Sequence, residues 1–311
     1  MVNSEQSTVN SEQSTVNTLL SPVSIVIPAY NEENGLGPVL AALLEKMDAV
    51  GGEYEVIVVD DGSADETAVI AQQYAVTVIR HQANKGYGAS LKTGIRNAKY
   101  DLICITDADG TYPNERIPEL VNTLVENHLD MVVGARVGEN VNIPTIRKPA
   151  KWALGQVANY VANEPVPDLN SGLRVFKREV CLLFFNLLPN QFSFTSTITM
   201  AMLTNQYQVL YVPINYYARV GKSKIRPIHD TINFLRLVMR IGLYFAPLKI
   251  FLPISFWLLV LGILWGAGTM LVFDQIADIS TLVIIMTAFQ VFAIGLLAEL
   301  INKRLPNYYR D

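Results

Sequence analysis

Between residues 22 and 143, short unbroken apolar runs alternate with longer amphipathic ones. SIVIPAY (24–30), YEVIVVDD (54–61), VTVIR (76–80), DLICITDAD (101–109) and DMVVGAR (130–136) read as strands. GPVLAALLEKMDAV (37–50), DETAVIAQQYA (65–75), ASLKTGIRNA (89–98) and RIPELVNTLVEN (116–127) read as helices. Strands that are apolar throughout are buried on both faces. Separated by helices, they predict an α/β fold with an open, mostly parallel sheet.

The pattern changes after residue 247. IFLPISFWLLVLGILWGAGTMLVF (250–273) and ISTLVIIMTAFQVFAIGLLA (279–298) carry no charge. Each is long enough to cross a bilayer, at roughly 1.5 Å per residue. The connector DQIAD makes them a helical hairpin with both outer ends on one side. It holds two Asp and no Lys or Arg, whereas the outer ends carry Lys249, Lys303, Arg304 and Arg310. The positive-inside rule then places the large N-terminal domain and both termini in the cytosol, in an integral protein of the plasma membrane. Gly262 and Gly266 form a GxxxG, which is either a helix-packing face or a chance match.

Composition adds limits. Half of the 311 residues are hydrophobic, 17% are charged and the net charge is -4. That balance excludes a general nucleic-acid binder, which needs a basic surface. Cys104 and Cys181 lie far apart in apolar stretches and read as reduced core thiols. The duplicated VNSEQST at 2–8 and 9–15 reads as a flexible polar tail over 1–21, lacking the basic and apolar regions of a signal peptide. The expected units are that tail, a soluble domain (22–218), a basic loop and interfacial region (219–249), the two spans (250–301) and a short tail (302–311).

In open α/β sheets, ligands bind beyond the carboxyl ends of strands. Those ends here are Pro28-Ala29-Tyr30-Asn31-Glu32, Asp60-Asp61-Gly62-Ser63, Asp107-Ala108-Asp109 and Gly134-Ala135-Arg136. Asp61 or Ser63 fits a helix N-cap. Asp107 and Asp109 end a buried strand one residue apart, an arrangement that calls for a positive partner. Mg²⁺ or Mn²⁺, which prefers oxygen ligands and a substrate phosphate, meets that need. The loop NKGYGAS (84–90) is a weak match to a dinucleotide fingerprint. Its glycines mark either a close backbone approach near a ligand or a turn before a helix. His81, His128 and His229 show no metal spacing and read as structural or surface residues.

IPAYNEE (27–33), VVDDGSADET (58–67), NKGYGAS, the DAD at 107–109, GAR (134–136) and SGLRVF (171–176) together resemble family 2 glycosyltransferases of the GT-A fold. With the basic segment and two spans, the chain resembles the polyprenyl-phosphate sugar transferases, especially the bacterial bactoprenol glucosyltransferases. The resemblance implies that Pro28, Tyr30, Glu32 and Asp61 hold the nucleotide, with Asp107, Ala108 and Asp109 at the diphosphate and Asp107 and Asp109 on the metal. Some relatives carry a metal-reaching Gln where this chain has Thr111. Arg136, Arg219 and Lys224 would meet phosphates, and RVGKSK (219–224) matches a mobile loop.

The run 219–249 sets seven Lys or Arg against one acid, and TINFLRLVMRIGLYFAPL (231–248) is amphipathic. PTIRKPAKWALGQVANYVAN (144–163) is a second interfacial candidate. These charges serve either topology alone or also capture of a lipid phosphate, with Arg136, Arg147, Ser171 and Arg174 as acceptor-phosphate residues. Asp168 is either a base or orienter of the acceptor, or a partner of Arg174. The expected partners are a sugar nucleotide, a polyprenyl phosphate, the bilayer and a second copy of the chain. The expected reaction is inverting hexose transfer, from UDP-glucose first and GDP-mannose second, onto a lipid such as undecaprenyl phosphate. A processive polysaccharide synthase lacks support, because the chain contains no Arg-Trp and only two spans. A non-enzymatic nucleotide sensor is the remaining alternative.

Overall fold

The computed structural model describes residues 20–137, 148–191, 193–218, 240, 242–273 and 278–304. All five expected strands form: β1 Leu20–Ala29, β2 Gly52–Asp60, β3 Thr77–Arg80, β4 Leu102–Ile105 and β5 Met131–Ala135. The expected tail therefore overlaps β1 by two residues. Two further strands, β6 Arg174–Lys177 and β7 Val209–Pro213, complete a sheet of order β3-β2-β1-β4-β6-β5-β7. Only β6 runs antiparallel, between β4 and β5.

The helices α1 Leu36–Val50, α2 Thr67–Ala71, α3 Tyr87–Asn97 and α4 Ile117–Glu126 follow the first four strands. They are followed by α5 Lys148–Ala162, α6 Arg178–Leu183 and α7 Phe194–Thr204. Successive strand side chains point to opposite faces, so each buried strand feeds two cores. Val23, Ile25 and Ile27 of β1 pack with Leu40 and Leu43 of α1 and Leu120 of α4. Val26 packs on the other face with Leu91 and Ile95 of α3 and Phe194 of α7. Cys104 and Cys181 are buried, one in β4 and one in α6, and both are free thiols.

The order of strands reverses between β1 and β4, because the chain runs outward through β2 and β3 before returning to the other side of β1. A crevice opens beyond the carboxyl ends at such a switch point. Pro28 is tolerated there. β1 pairs with β4 only through Val23–Val26, so the missing proline N–H falls beyond that ladder.

The two apolar segments form long helices, α8 Pro247–Phe273 and α9 Asp278–Arg304, which pack along each other. Their surfaces are largely exposed hydrophobic side chains, as a lipid-facing hairpin requires. α9 runs past the expected boundary at 298 because its polar end residues are still good helix formers. A methyl at Gly262 would meet Ile285 and one at Gly266 would meet Thr281. The GxxxG therefore faces α9 within the hairpin.

Candidate active site

The β1–α1 and β2–α2 loops are knitted together at the crevice. Asn31 has a left-handed φ of 54°. Its N–H donates to Ser63 Oγ (2.9 Å), and its Oδ1 accepts the Ala64 N–H (2.9 Å). The Glu32 N–H donates to Thr67 Oγ1 at 2.9 Å. Tyr30 is left half exposed at the rim, with Pro28 buried behind it. Asp65, not Asp61 or Ser63, serves the start of α2, accepting the Thr67 N–H at 3.1 Å.

Asp61 is buried and ties down the glycine-rich loop. Its carboxylate accepts the N–H groups of Lys85 (2.9 Å) and Gly86 (2.8 Å) and faces His81 Nδ1 at 2.7 Å. His81 Nε2 lies 2.9 Å from Thr93 Oγ1, so this histidine is structural, as expected. A cleft of about 370 Å³ beside it is lined by Gly62, Ser63, Arg80, His81 and Gln82. The glycines of the loop approach chain rather than open space. A methyl at Gly86 or Gly88 would overlap the backbone of Pro189 and Asn190.

Asp107 and Asp109 leave the end of β4 in the turn before the 3₁₀ segment Asn114–Arg116. Asp107 Oδ1 accepts the Tyr87 hydroxyl at 3.0 Å. Asp109 Oδ1 accepts the Thr111 hydroxyl (2.7 Å) and N–H (3.2 Å). Burial, then the neighbouring Asp107, pushes the Tyr87 phenol well up, so it remains a proton donor. Among the described residues no cluster of three or more potential metal-ligating side chains occurs. The donor set is thus two carboxylates with oxygen chemistry, which fits a hard divalent ion that takes its other ligands from a diphosphate and water.

Asp107 lies flat against Gly172, where a Cβ would come within 2.9 Å of its Oδ2. The Gly172 N–H donates to the Tyr112 hydroxyl oxygen at 2.6 Å. Tyr112 packs edge-on against Tyr216, with centroids 5.3 Å apart, and the Arg136 guanidinium sits 5.1 Å over the Tyr216 ring. Arg136 is forked onto Asp168, with Nε to Oδ2 at 2.7 Å and Nη2 to Oδ1 at 2.8 Å. The Arg136 N–H adds a third bond to Oδ2 at 3.0 Å. Burial alone would push this guanidinium down, but the bonds from Asp168 outweigh it and raise the pKa.

Asp168 therefore partners Arg136 directly, rather than Arg174. Two acceptor-phosphate expectations also change. Arg174 is fully buried, donating to the carbonyls of Ser171 and Thr195 and to Thr199 Oγ1 (2.7 Å), so its donors are turned into the core. Ser171 is buried as well, and its hydroxyl donates to the Gly134 carbonyl at 2.5 Å. Both side chains spend these bonds on protein carbonyls and a threonine hydroxyl. Arg147, Arg219, Lys224 and His229 lie outside the described residues, as do the 219–224 loop and most of 231–248.

Sequence reasoning missed a junction at the foot of the hairpin. Lys249 Nζ donates to the carbonyls of Tyr160 (2.8 Å) and Val161 (3.0 Å) and to Asn163 Oδ1 (2.6 Å), capping the end of α5. Pro253 within α8 has no N–H to offer the Lys249 carbonyl four residues back. The Tyr160 hydroxyl donates to that carbonyl instead, at 3.2 Å. The only sequence signal was the proline itself, one turn inside an apolar helix.

Residues 24–183 match the model of glycosyl transferase family 2. The chain belongs to that family. Residues 246–303 match a second model, the GtrB C-terminal hairpin. Among relatives of this family 2 glycosyltransferase is the dodecaprenyl-phosphate galacturonate synthase of Rhizobium johnstonii. It is 26% identical over 93% of this chain and 89% of that protein. The dolichyl-phosphate hexose transferase of Haloferax volcanii is 29% identical over 66% of this chain and 87% of that one. In fold, the chain is similar to glucosyl-3-phosphoglycerate synthase from Mycobacterium tuberculosis, solved with Mn²⁺, UDP and phosphoglyceric acid. The TM-score is 0.56 at 19% identity, covering 71% of this chain and 78% of that one.

Proposed function

We propose that this family 2 glycosyltransferase moves a hexose, glucose from UDP-glucose first, onto a polyprenyl phosphate such as undecaprenyl phosphate. The observation that carries this reading is the placement of Asp107 and Asp109 at the β1/β4 switch point. The Arg136–Asp168 pair is joined to them through Gly172, Tyr112 and Tyr216, and a membrane hairpin follows. Polyprenyl-phosphate relatives that span nearly the whole chain support the acceptor class. The Mn²⁺ and UDP complex of a fold neighbour supports the donor side.

On this reading, Tyr30 and Glu32 border the nucleotide and Asp61 shapes its pocket by holding the glycine-rich loop. Asp107 and Asp109 hold Mg²⁺ or Mn²⁺, which when bound supplies positive charge to the departing diphosphate. Arg136, held in one orientation by Asp168, faces phosphate, joined by Arg147, Arg219 and Lys224. The nucleophile is an acceptor phosphate oxygen, already largely ionised at neutral pH because its second pKa is about 6. It needs positioning more than deprotonation, so Asp168 serves as an orienter. A single displacement inverts the anomeric carbon. The hairpin's charge asymmetry puts the catalytic domain on the cytosolic face.

The test is purified full-length protein with undecaprenyl phosphate and labelled UDP-glucose, GDP-mannose and UDP-N-acetylhexosamines, with and without EDTA. Lipid-linked glucose of inverted configuration, abolished by EDTA, is expected. A retained anomer overturns the single displacement, and donor binding without any lipid product returns the sensor reading.

A further inference from the structure

NKGYGAS stood out in the sequence, and the nucleotide roles above leave its tyrosine without a task. The loop has unusual geometry. Gly86, with φ of 104°, and Gly88 press against the backbone of Pro189 and Asn190, leaving no room for a side chain. The Ala89 N–H bonds to the Asn190 carbonyl at 3.0 Å. Asp61 holds the other flank through the Lys85 and Gly86 N–H groups. The first residue of α3, Tyr87, is thus fixed from both sides, with its ring against the α3–α7 core and its hydroxyl 3.0 Å from Asp107 Oδ1.

Thr111 does the same for the other carboxylate. It is buried, and its hydroxyl and N–H both reach Asp109 Oδ1. Each carboxylate of the pair is therefore held at one oxygen by a neutral hydroxyl donor, one from the start of α3 and one from the buried turn before the 3₁₀ segment. Neutral donors fix a carboxylate's orientation without cancelling its charge. Hydrogen-bond partners of ligating carboxylates are worth about 10–100-fold in metal affinity.

We propose that Tyr87 and Thr111 are positioning residues that set the two aspartates for a divalent cation. The glycine-rich loop is shaped to deliver the Tyr87 hydroxyl. The inference rests on the metal role given above to Asp107 and Asp109.

The experiment is Mn²⁺ titration of the full-length protein in detergent with UDP present, followed by electron paramagnetic resonance of free Mn²⁺. Wild type, Tyr87→Phe, Thr111→Val and Asp109→Ala are compared, with the melting temperature of each. Tyr87→Phe keeps the ring in its core contacts. Its Mn²⁺ dissociation constant should rise about tenfold or more. Thr111→Val should show a smaller rise because its N–H still reaches Asp109. Both should regain turnover as Mn²⁺ is raised to saturation. Wild-type Mn²⁺ affinity in both hydroxyl variants overturns the positioning proposal while leaving the metal reading intact. A wild type that takes up no Mn²⁺ beside UDP, or an Asp109→Ala that binds it equally well, overturns the metal reading and this proposal with it.

Discussion

Two carboxylate sites, linked through Gly172, Tyr112 and Tyr216, are built differently. Asp107 and Asp109 accept from hydroxyls and an N–H, Tyr87 on one side and Thr111 on the other. Asp168 is fully buried and accepts a forked guanidinium. The hydroxyl donors orient the first pair without adding positive charge of their own, which suits a cation site. The second has its charge matched within the protein, so it fixes an arginine in place. The difference teaches that an acidic residue's partners, more than its position at a strand end, separate a ligand site from a scaffold.

The two sites should accordingly fail in different ways. Asp109→Ala is expected to lower transferase turnover by about 10²–10³-fold, the usual cost of removing electrostatic stabilisation of a leaving group. Its melting temperature should stay near wild type. A large fall in stability would erase the contrast. Asp168→Ala should lose activity and also about 3–5 kcal/mol of stability, because it strands a largely buried guanidinium. Urea unfolding of the domain reads this. Adding Arg136→Met should restore part of the stability and none of the turnover.

Arg174→Met sharpens the comparison from inside the core. It should cost about 1–3 kcal/mol by leaving carbonyls unpaired, with KM for both substrates unchanged. A raised KM for the lipid would return Arg174 to the phosphate-binding set. The smallest effect is expected from Lys249→Met, about 1 kcal/mol for a lost helix-end cation. Faster hydrogen exchange at the Asn163, Glu164 and Val166 amides would report it, and Lys249→Arg should largely rescue it.

The edge carrying Pro28, Asp61, Asp107 and Asp109 was legible because these residues follow unbroken apolar strands, and parallel topology sends such ends to one side. The pairing of Asp168 with Arg136 was not. The two are 32 positions apart, and what joins them is β6, whose reversed direction brings its N-terminal lead-in to the edge where β4 and β5 finish. A search confined to strand carboxyl ends passes over that lead-in. Arg174 was misplaced for a related reason. Alternation along β6 puts it on the face of Phe176, toward α7, where Thr195 and Thr199 sit four apart on one helical face. That spacing of buried threonines was the available signal. The two long apolar helices were legible from length and lack of charge, but the glycine pair needed coordinates to show that it serves the hairpin's own packing.

Lys249 and Tyr160 share two hydrogen bonds that run in opposite senses, with the ammonium also 5.4 Å over the tyrosine ring. A single bond would be a swivel, about which the soluble domain could turn above the bilayer. Two bonds, with the second fixed by Pro253 in the helix itself, act as two pins and give the domain a heading as well as a height. Asp168 lies six residues beyond the end of α5, so the sheet edge that carries it is tied to the same joint. In this family 2 glycosyltransferase, the direction from which that edge is approached is set at this joint.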